Sequence, residues 1–220
     1  MAEQATTSDV GRMSLSISIA TGLYGLSFGA LGVAAGLSVW QTCLLSLLMF
    51  TGGSQFAFVA ALSGGGWAAL SAASLMGVRN AIYGAQMNAE LAPRPWWRRA
   101  AAAQITIDES VAVSIAQPGP AERRRGFWLT GVGVYVFWNL LTFVGAFAAG
   151  RLDTRVWGLD GAAVAAFVAL LWPRLRQRHA SAVALIAAGA ALAITPLVPA
   201  GVPLLVAAAV AGFLGWRWLR

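Results

Sequence analysis

The chain alternates between long apolar runs and short loops, and this alternation restricts it to a helical membrane fold. The runs cover roughly residues 14–35, 40–62, 66–88, 127–149, 158–172, 180–195 and 202–216. The first four have the length of ~20 residues that a helix needs to cross a bilayer, and the last three are shorter. All eight prolines lie between the runs or at their ends, where helices stop and start. With 59% apolar and 10% charged residues, a soluble domain is excluded. The sequence predicts an all-α, polytopic integral membrane protein of about seven transmembrane helices, with 1–220 forming a single transporter domain.

Arginine clusters between the runs orient the chain. They comprise Arg94, Arg98 and Arg99; Arg123, Arg124 and Arg125; Arg174, Arg176 and Arg178; and Arg217 with Arg220. Because cytoplasmic loops are enriched in basic residues, the net charge of +7 indicates topology and not a nucleic-acid partner. The clusters predict an outside N-terminus and a cytoplasmic C-terminus in the cell inner membrane. Segment 100–117 must then begin and end in the cytoplasm, as a non-crossing re-entrant or surface helix.

The second apolar run is interrupted near its middle by Phe50-Thr-Gly-Gly-Ser-Gln-Phe56. Two glycines lower helix stability by roughly 1 kcal/mol each, and the polar side chains need partners that hydrocarbon does not offer. We therefore expect a broken helix near Gly52-Gly53, as in transporters that bind substrate at a discontinuous helix. Free amides at the broken end can receive a carboxylate. The candidate substrate-binding residues are Thr51, Gly52, Gly53, Ser54 and Gln55, and the alternative is a polar kink that only packs against a neighbour.

Charged residues within apolar segments supply two further candidates. Arg79 and Asn80 lie deep in the third run, too far from its end for Arg79 to reach the interface easily, so both are candidate substrate-binding residues. Arg79 is expected to balance a carboxylate, either of the substrate or of Asp108 or Glu109. These two adjacent acids are candidates for proton coupling. The alternative places them on a solvated amphipathic helix at the cytoplasmic surface.

Other patterns favour packing and argue against catalysis. Gly25-x-x-x-Gly29 and Gly32-x-x-x-Gly36 predict the close approach of a neighbouring helix. The only histidine, His179, follows Arg178 in a basic loop, which does not suit an intramembrane serine protease built on Ser54. No metal-ligand cluster or phosphate-binding glycine motif is present in the sequence. We expect no enzymatic activity, no metal and no cofactor.

Four segments carry a family resemblance. They are Leu45-Ser-Leu-Leu-Met-Phe-Thr-Gly-Gly-Ser-Gln-Phe56, Arg79-Asn-Ala-Ile-Tyr83, Thr106-Ile-Asp-Glu-Ser110, and Gly158-Leu-Asp160 followed by Phe167-Val-Ala-Leu-Leu171. In this order they resemble motifs of the AzlC-type branched-chain amino acid exporters, similar to "LMSxxVFAGxSQF", "NxRxxxY", "TDE" and "GLDFAxxAxFxxLL". The chain departs from the family pattern at Gly77, Asn80 and Ile107, which bears on substrate identity more than on fold.

The resemblance implies an exporter of branched-chain amino acids, with methionine as a further candidate substrate, in the inner membrane. It also implies that the chain is the large subunit beside a small AzlD-type membrane subunit. Two other functions remain open. A non-transporting scaffold or assembly subunit predicts that Thr51–Gln55 and Arg79 tolerate apolar replacement. A passive channel for small polar solutes predicts a flux that ignores pH and membrane potential.

Overall fold

The structure, a computed structural model, describes residues 7–62, 65–92, 95–151, 172, 175–176, 178–198 and 202–218. The α-helices in these ranges are α1 (Thr7–Ala34), α2 (Val39–Leu48), α3 (Gly53–Ala61), α4 (Gly66–Leu91), α5 (Trp96–Gln104), α6 (Asp108–Ile115), α7 (Pro120–Ala149), α8 (Arg178–Ile194) and α9 (Val202–Trp218). A short 3₁₀ turn, Thr195–Leu197, follows α8. The described residues contain no β-strand. The predicted run 158–172 lies outside them except for residue 172.

The predicted all-α membrane protein is confirmed, whereas the count of about seven spans stays a prediction. Within the described residues, three segments are long and apolar enough to cross a membrane: Asp9–Ala34, Pro120–Ala149 and His179–Leu197. At 26 residues α4 is also long enough, although Arg79 and Glu90 make it more polar. Shorter apolar helical segments are Val39–Leu48 and Leu205–Arg217. The last two helices, α8 and α9, pack against each other.

Three long helices, α1, α4 and α7, form the frame of the molecule. α1 and α7 run parallel, because Ser14 meets Thr130 near their beginnings and Gly29 meets Ala146 near their ends. α4 is antiparallel to both, since its C-terminal Leu91 carbonyl accepts a hydrogen bond of 3.2 Å from Arg124 near the start of α7. Their lengths of 28, 26 and 30 residues correspond to about 39–45 Å of helix.

Small and hydroxyl-bearing residues join α1 to α7. A side chain at Gly25 or Gly29 would overlap backbone atoms of α7, so the predicted close helix approach at this pair is confirmed. Ser14 accepts a 3.0 Å hydrogen bond from Thr130, and Ser18 donates one of 2.7 Å to the Ser14 carbonyl. These buried hydroxyls satisfy each other at an interface where lipid provides no partners.

The predicted helix break at Gly52-Gly53 is confirmed. α2 ends at Leu48, and the chain turns through residues 49–52 before α3 begins at Gly53. Gly52 has φ +58°, in the left-handed region that glycine adopts without strain. Gln55 stabilises the turn, because its Oε1 accepts a 3.1 Å hydrogen bond from the Gly52 amide.

The second apolar run forms a hairpin and not the single span that we predicted. α2 is antiparallel to α7: Val39 lies beside Gly150, and the Leu47 carbonyl accepts a 3.2 Å hydrogen bond from the Tyr135 hydroxyl. α3 is antiparallel to α4, with Ala57 and Ala61 packed among Ala69 and Ala72. Because α4 is itself antiparallel to α7, α3 returns toward the end where α2 began. We call α2, the turn at 49–52 and α3 the first hairpin; the flexible backbone at Gly52 permits the reversal.

Segment 100–117 belongs to a second hairpin, made of α5, a turn at residues 105–107 and α6. α5 begins near the start of α7, where Trp97 and Arg98 line a pocket with Arg124 and Trp128. It runs toward the middle of α7, where Ile105 packs against Gly131. α6 then runs back toward the start of α7, and the Gln117 carbonyl that follows it accepts a 2.9 Å hydrogen bond from Arg123. Both ends therefore lie at one end of the frame, as the predicted non-crossing segment requires.

The two hairpins enter the frame from opposite ends and follow the same plan. Each comes directly after a long helix, α1 for the first and α4 for the second. In each hairpin, the third residue of the second helix (Gln55 of α3, Ser110 of α6) accepts a side-chain hydrogen bond from the backbone amide just before that helix. Residues 7–61 and 66–115 therefore form an inverted pair of units, an arrangement common among secondary transporters.

This arrangement predicts which residues share a side of the membrane. In a Cys43→Ala background, Ala100→Cys and Ala116→Cys at the ends of the second hairpin should be labelled by a membrane-impermeant maleimide from the same side. Ala34→Cys and Gly66→Cys, which flank the first hairpin, should be labelled from the other side. All four positions are exposed. Labelling of Ala100→Cys and Ala116→Cys from opposite sides would show that the segment crosses the membrane.

Candidate functional site

The tips of the two hairpins meet at the middle of the frame and enclose a central cavity. Thr21, Arg79 and Val134, near the midpoints of α1, α4 and α7, all line it. Its volume is about 440 Å³, within the range of small-molecule sites. The full lining is Thr21, Tyr24, Phe50, Thr51, Gly52, Gly53, Phe56, Met76, Arg79, Ile107, Asp108, Glu109, Val134 and Trp138.

Arg79 links the two hairpin tips. Its Nη1 forms an ion pair of 2.8 Å with Asp108 Oδ2 at the start of α6. Its Nη2 lies 3.2 Å from the position that a Cβ would occupy at Gly53, the first residue of α3. A larger residue at position 53 would compete with the guanidinium for this space. Both charged side chains retain 40% exposure, so a ligand or water in the cavity can reach them.

Glu109 supplies a second carboxylate to the cavity. Its Oε1 accepts a 3.5 Å hydrogen bond from the Thr21 hydroxyl of α1. Asp108 and Glu109 are the first two residues of α6, where the helix dipole favours negative charge. The ion pair engages Asp108 with Arg79, whereas Glu109 is held by a neutral partner.

The first hairpin presents backbone amides to the same region. The initial amides of an α-helix lack partners within the helix. Gln55 Oε1 accepts from Gly52, but the amides of Gly53 and Ser54 have no hydrogen-bond partner among the described residues. Since neither Gly52 nor Gly53 carries a side chain, the backbone at the tip is accessible to a ligand.

Aromatic and aliphatic side chains form the remaining walls. Phe56 stands edge-on to Phe28 and to Trp138, with ring centroids 5.5 and 6.1 Å apart. Phe50 packs edge-on against Tyr135 at 4.9 Å. Met76, Ile107 and Val134 complete the apolar lining. The site thus places ionic groups beside a surface suited to a small hydrophobic side chain.

Several buried polar atoms around the cavity have no partner among the described residues. They are Thr51 Oγ1, Arg79 Nε, Asp108 Oδ1 and Trp138 Nε1. Buried polar groups in folded proteins are nearly always hydrogen-bonded. Four of the seven such atoms among the described residues belong to the cavity lining, which therefore suits a polar ligand or water.

The candidates chosen from sequence occupy different positions around the cavity. Thr51, Gly52, Gly53, Arg79, Asp108 and Glu109 line it, whereas Ser54, Gln55 and Asn80 do not. Ser54 is buried against Gly77. Gln55 is fully buried and supports the first tip. Asn80 supports the second tip, since its Nδ2 donates a 3.2 Å hydrogen bond to the Thr106 carbonyl.

The two hairpins also touch each other directly, beside an outer cleft. Gln104 Nε2 donates a 2.8 Å hydrogen bond to the Leu47 carbonyl and lies 3.4 Å from the Leu48 carbonyl. The outer cleft, about 710 Å³, lies between α2 and the second hairpin. Phe50 and Thr51 line both spaces and form the wall between them.

The sequence analysis missed the contributions of α1 and α7. Thr21 and Tyr24 come from α1, and Val134 and Trp138 come from α7. The Gly25-x-x-x-Gly29 pattern marks the face of α1 that packs on α7, and Thr21 lies one turn before it. That spacing is the one local signal that could have suggested Thr21.

The comparisons with known proteins identify a family of membrane proteins. A family model described as AzlC protein matches residues 16–152, which include both hairpins. An uncharacterized membrane protein of Archaeoglobus fulgidus is 32% identical over 159 residues, covering 71% of this chain and 70% of that protein. No solved structure matches the chain. The match over more than half of the chain shows that this membrane protein belongs to the AzlC family.

Proposed function

We propose that the protein exports small hydrophobic amino acids across the inner membrane, branched-chain amino acids first and methionine as a further candidate. The central cavity carries this proposal. A zwitterion needs matched charges at mid-membrane, where one unmatched charge costs at least about 2.5–3.5 kcal/mol. The cavity offers a guanidinium, two carboxylates and free amides beside apolar walls. These are the groups that such a substrate requires.

The hairpins would act as two gates. Because they enter from opposite ends, movement of the first would open the cavity toward one side, and movement of the second toward the other. The Gln104 hydrogen bond to Leu47 joins the tips when both are closed. Alternate opening would carry the substrate across without a continuous pore, which distinguishes this mechanism from a passive channel.

Proton coupling would fall to Glu109. The Arg79 ion pair engages Asp108, and no cation of the described residues lies within ion-pair distance of Glu109. Export would then exchange one outgoing amino acid for an incoming proton. In the cell, we propose an outside N-terminus, a cytoplasmic C-terminus, and assembly as the large subunit with a small AzlD-type membrane protein.

Filling the first tip should abolish export. A leucine at position 53 would collide with Arg79 and Met76, so Gly53→Leu should reach the membrane but lose export. The measurement is the resistance of cells to an inhibitory leucine-containing dipeptide, together with the amount of protein in the membrane. Gly84→Leu is the matched control, because no atom lies within 4 Å of a Cβ at that glycine.

Resistance at the wild-type level in cells with Gly53→Leu would show that the break is only a structural kink. It would also favour the scaffold function. If Gly84→Leu were equally inactive, the loss would reflect insertion of a large residue and not the site.

Breaking the ion pair should stop export. Arg79→Gln leaves Asp108 unpaired, and Asp108→Asn leaves Arg79 unpaired, so each variant should cripple export. The double variant should insert and fold better than either single variant, because no unmatched charge remains. Efflux of labelled leucine from proteoliposomes and thermal unfolding of the purified proteins measure the two effects, with Glu122→Gln as the control acid outside the cavity.

The acids can also be tested through the pH dependence of efflux. If Glu109 carries the exchanged proton, Glu109→Gln should make the residual efflux insensitive to an imposed pH gradient. Efflux with wild-type rate and pH dependence from both Asp108→Asn and Glu109→Gln would assign these acids to a solvated surface. That result would remove the proton-coupling mechanism.

A further inference from the structure

The two hairpins share one plan, but their tips differ in charge. The first tip is neutral and carries Gly52 and Gly53, with free amides at the start of α3. The second tip leads into Asp108 and Glu109 at the start of α6. Since both tips face one cavity, the cavity has a side rich in donors and a side rich in carboxylates.

The donor-rich side has the features of a carboxylate site. Two observations beyond the helix N-terminus support this. Arg79 Nη2 lies beside Gly53, and the indole Nε1 of Trp138, a residue only 4% exposed, has no partner among the described residues. Trp138 also approaches Gly52, with its Cη2 3.9 Å from the position of a Cβ there. Amides, guanidinium and indole are all donors, and donors together recognise an anion.

The opposite side has the features of an ammonium site. Asp108 is already engaged by Arg79, while among the described residues the Thr21 hydroxyl, at 3.5 Å, is the one side-chain partner of Glu109. A carboxylate with remaining acceptor capacity and a neighbouring hydroxyl is suited to an ammonium group. The aromatic side chains of Tyr24 and Trp138 lie on the same lining.

We propose that the two hairpins divide the substrate between them. The tip at Gly52-Gly53, with Arg79, binds the substrate carboxylate, and Glu109 binds its ammonium group. A free amino acid carries both groups, so each gate closes on one end of the same molecule. This inference rests on the proposed function and adds the orientation of the substrate.

The division is compatible with proton exchange at Glu109. A protonated carboxyl group does not form an ion pair with ammonium, so the proton must leave before the substrate binds. The titratable and charged groups that share the cavity with Glu109 are Asp108 on its own helix, Arg79 of α4 and Tyr24 of α1. The Glu109 carboxylate would then bind the proton and the substrate ammonium group alternately.

The test compares leucine with two analogues that each lack one charged group. Isocaproate lacks the ammonium group and isoamylamine lacks the carboxylate. Binding of all three is measured on the purified full-length protein by competition with labelled L-leucine. The Gly53→Ala variant places a methyl group 3.2 Å from Arg79 Nη2 and Met76 Cε, and the Glu109→Gln variant removes the carboxylate charge. The control variants are Gly84→Ala and Glu122→Gln.

Gly53→Ala and Glu109→Gln should each weaken the binding of only two of the three probes. Gly53→Ala should weaken leucine and isocaproate by about tenfold or more but leave isoamylamine unchanged, because hydrogen bonds to a charged group contribute about 1.5–3 kcal/mol. Glu109→Gln should weaken leucine and isoamylamine and leave isocaproate unchanged. The control variants should bind all three probes as the wild type does.

The outcomes separate this inference from the proposed function. The opposite pattern, or equal losses for all three probes, would overturn the proposed orientation of the substrate. The proposed export function would still hold in that case, provided that the wild-type protein binds leucine. Failure of the wild type to bind leucine would overturn the proposed function and the inference with it. Thermal unfolding of each variant verifies that it is folded before binding is measured.

Discussion

The ion pair between Arg79 and Asp108 is the interaction on which the arrangement of the core depends. An arginine in the middle of a transmembrane helix is costly unless it meets a counter-charge or a polar cavity. Here the counter-charge comes from the tip of the second hairpin, 2.8 Å away, and the other side of the guanidinium faces the tip of the first. One side chain of α4 therefore fixes how deep both hairpins reach. The same side chain lines the polar cavity, which gives its charge the polar surroundings that it needs.

Interrupted helices at this depth persist because protein groups satisfy their ends. The carbonyls that end α2 accept hydrogen bonds from Gln104 and Tyr135. Gln55 and Ser110 bind the amides that precede α3 and α6. Irregular backbone is tolerated inside a membrane only where it is buried in protein or lines a cavity, and both conditions are met here. Thr51, Arg79, Asp108 and Trp138 each keep a buried polar atom without a partner among the described residues, and all four line the cavity, where a substrate can bind them.

The sequence allowed the first break to be predicted but not the second. Gly52-Gly53 interrupts an apolar run with residues that weaken a helix. The second break, Ile105-Thr106-Ile107, contains neither glycine nor proline, so no local signal marks it. The arginine clusters nevertheless predicted that segment 100–117 does not cross the membrane. The distribution of basic residues between loops indicates on which side each loop lies, whatever the local backbone conformation. Three features depend on how the helices pack, and the periodicity of a single sequence does not encode packing. They are the reversal of α3, the contribution of Thr21 and Trp138 to the cavity lining, and the inverted relation of the two hairpin units.

The central claim is that two hairpins from opposite ends meet at their tips, and a chemical cross-link between the tips tests it most directly. In a Cys43→Ala background, Leu47→Cys and Gln104→Cys should be joined by a short bismaleimide in membranes, because the Gln104 side chain reaches the Leu47 carbonyl. The control pair, Ala34→Cys with Gln104→Cys, joins the end of α1 to the second tip and should not cross-link. A cross-link in the tip pair alone is the predicted result. No cross-link in the tip pair, or one in the control pair, would contradict the account.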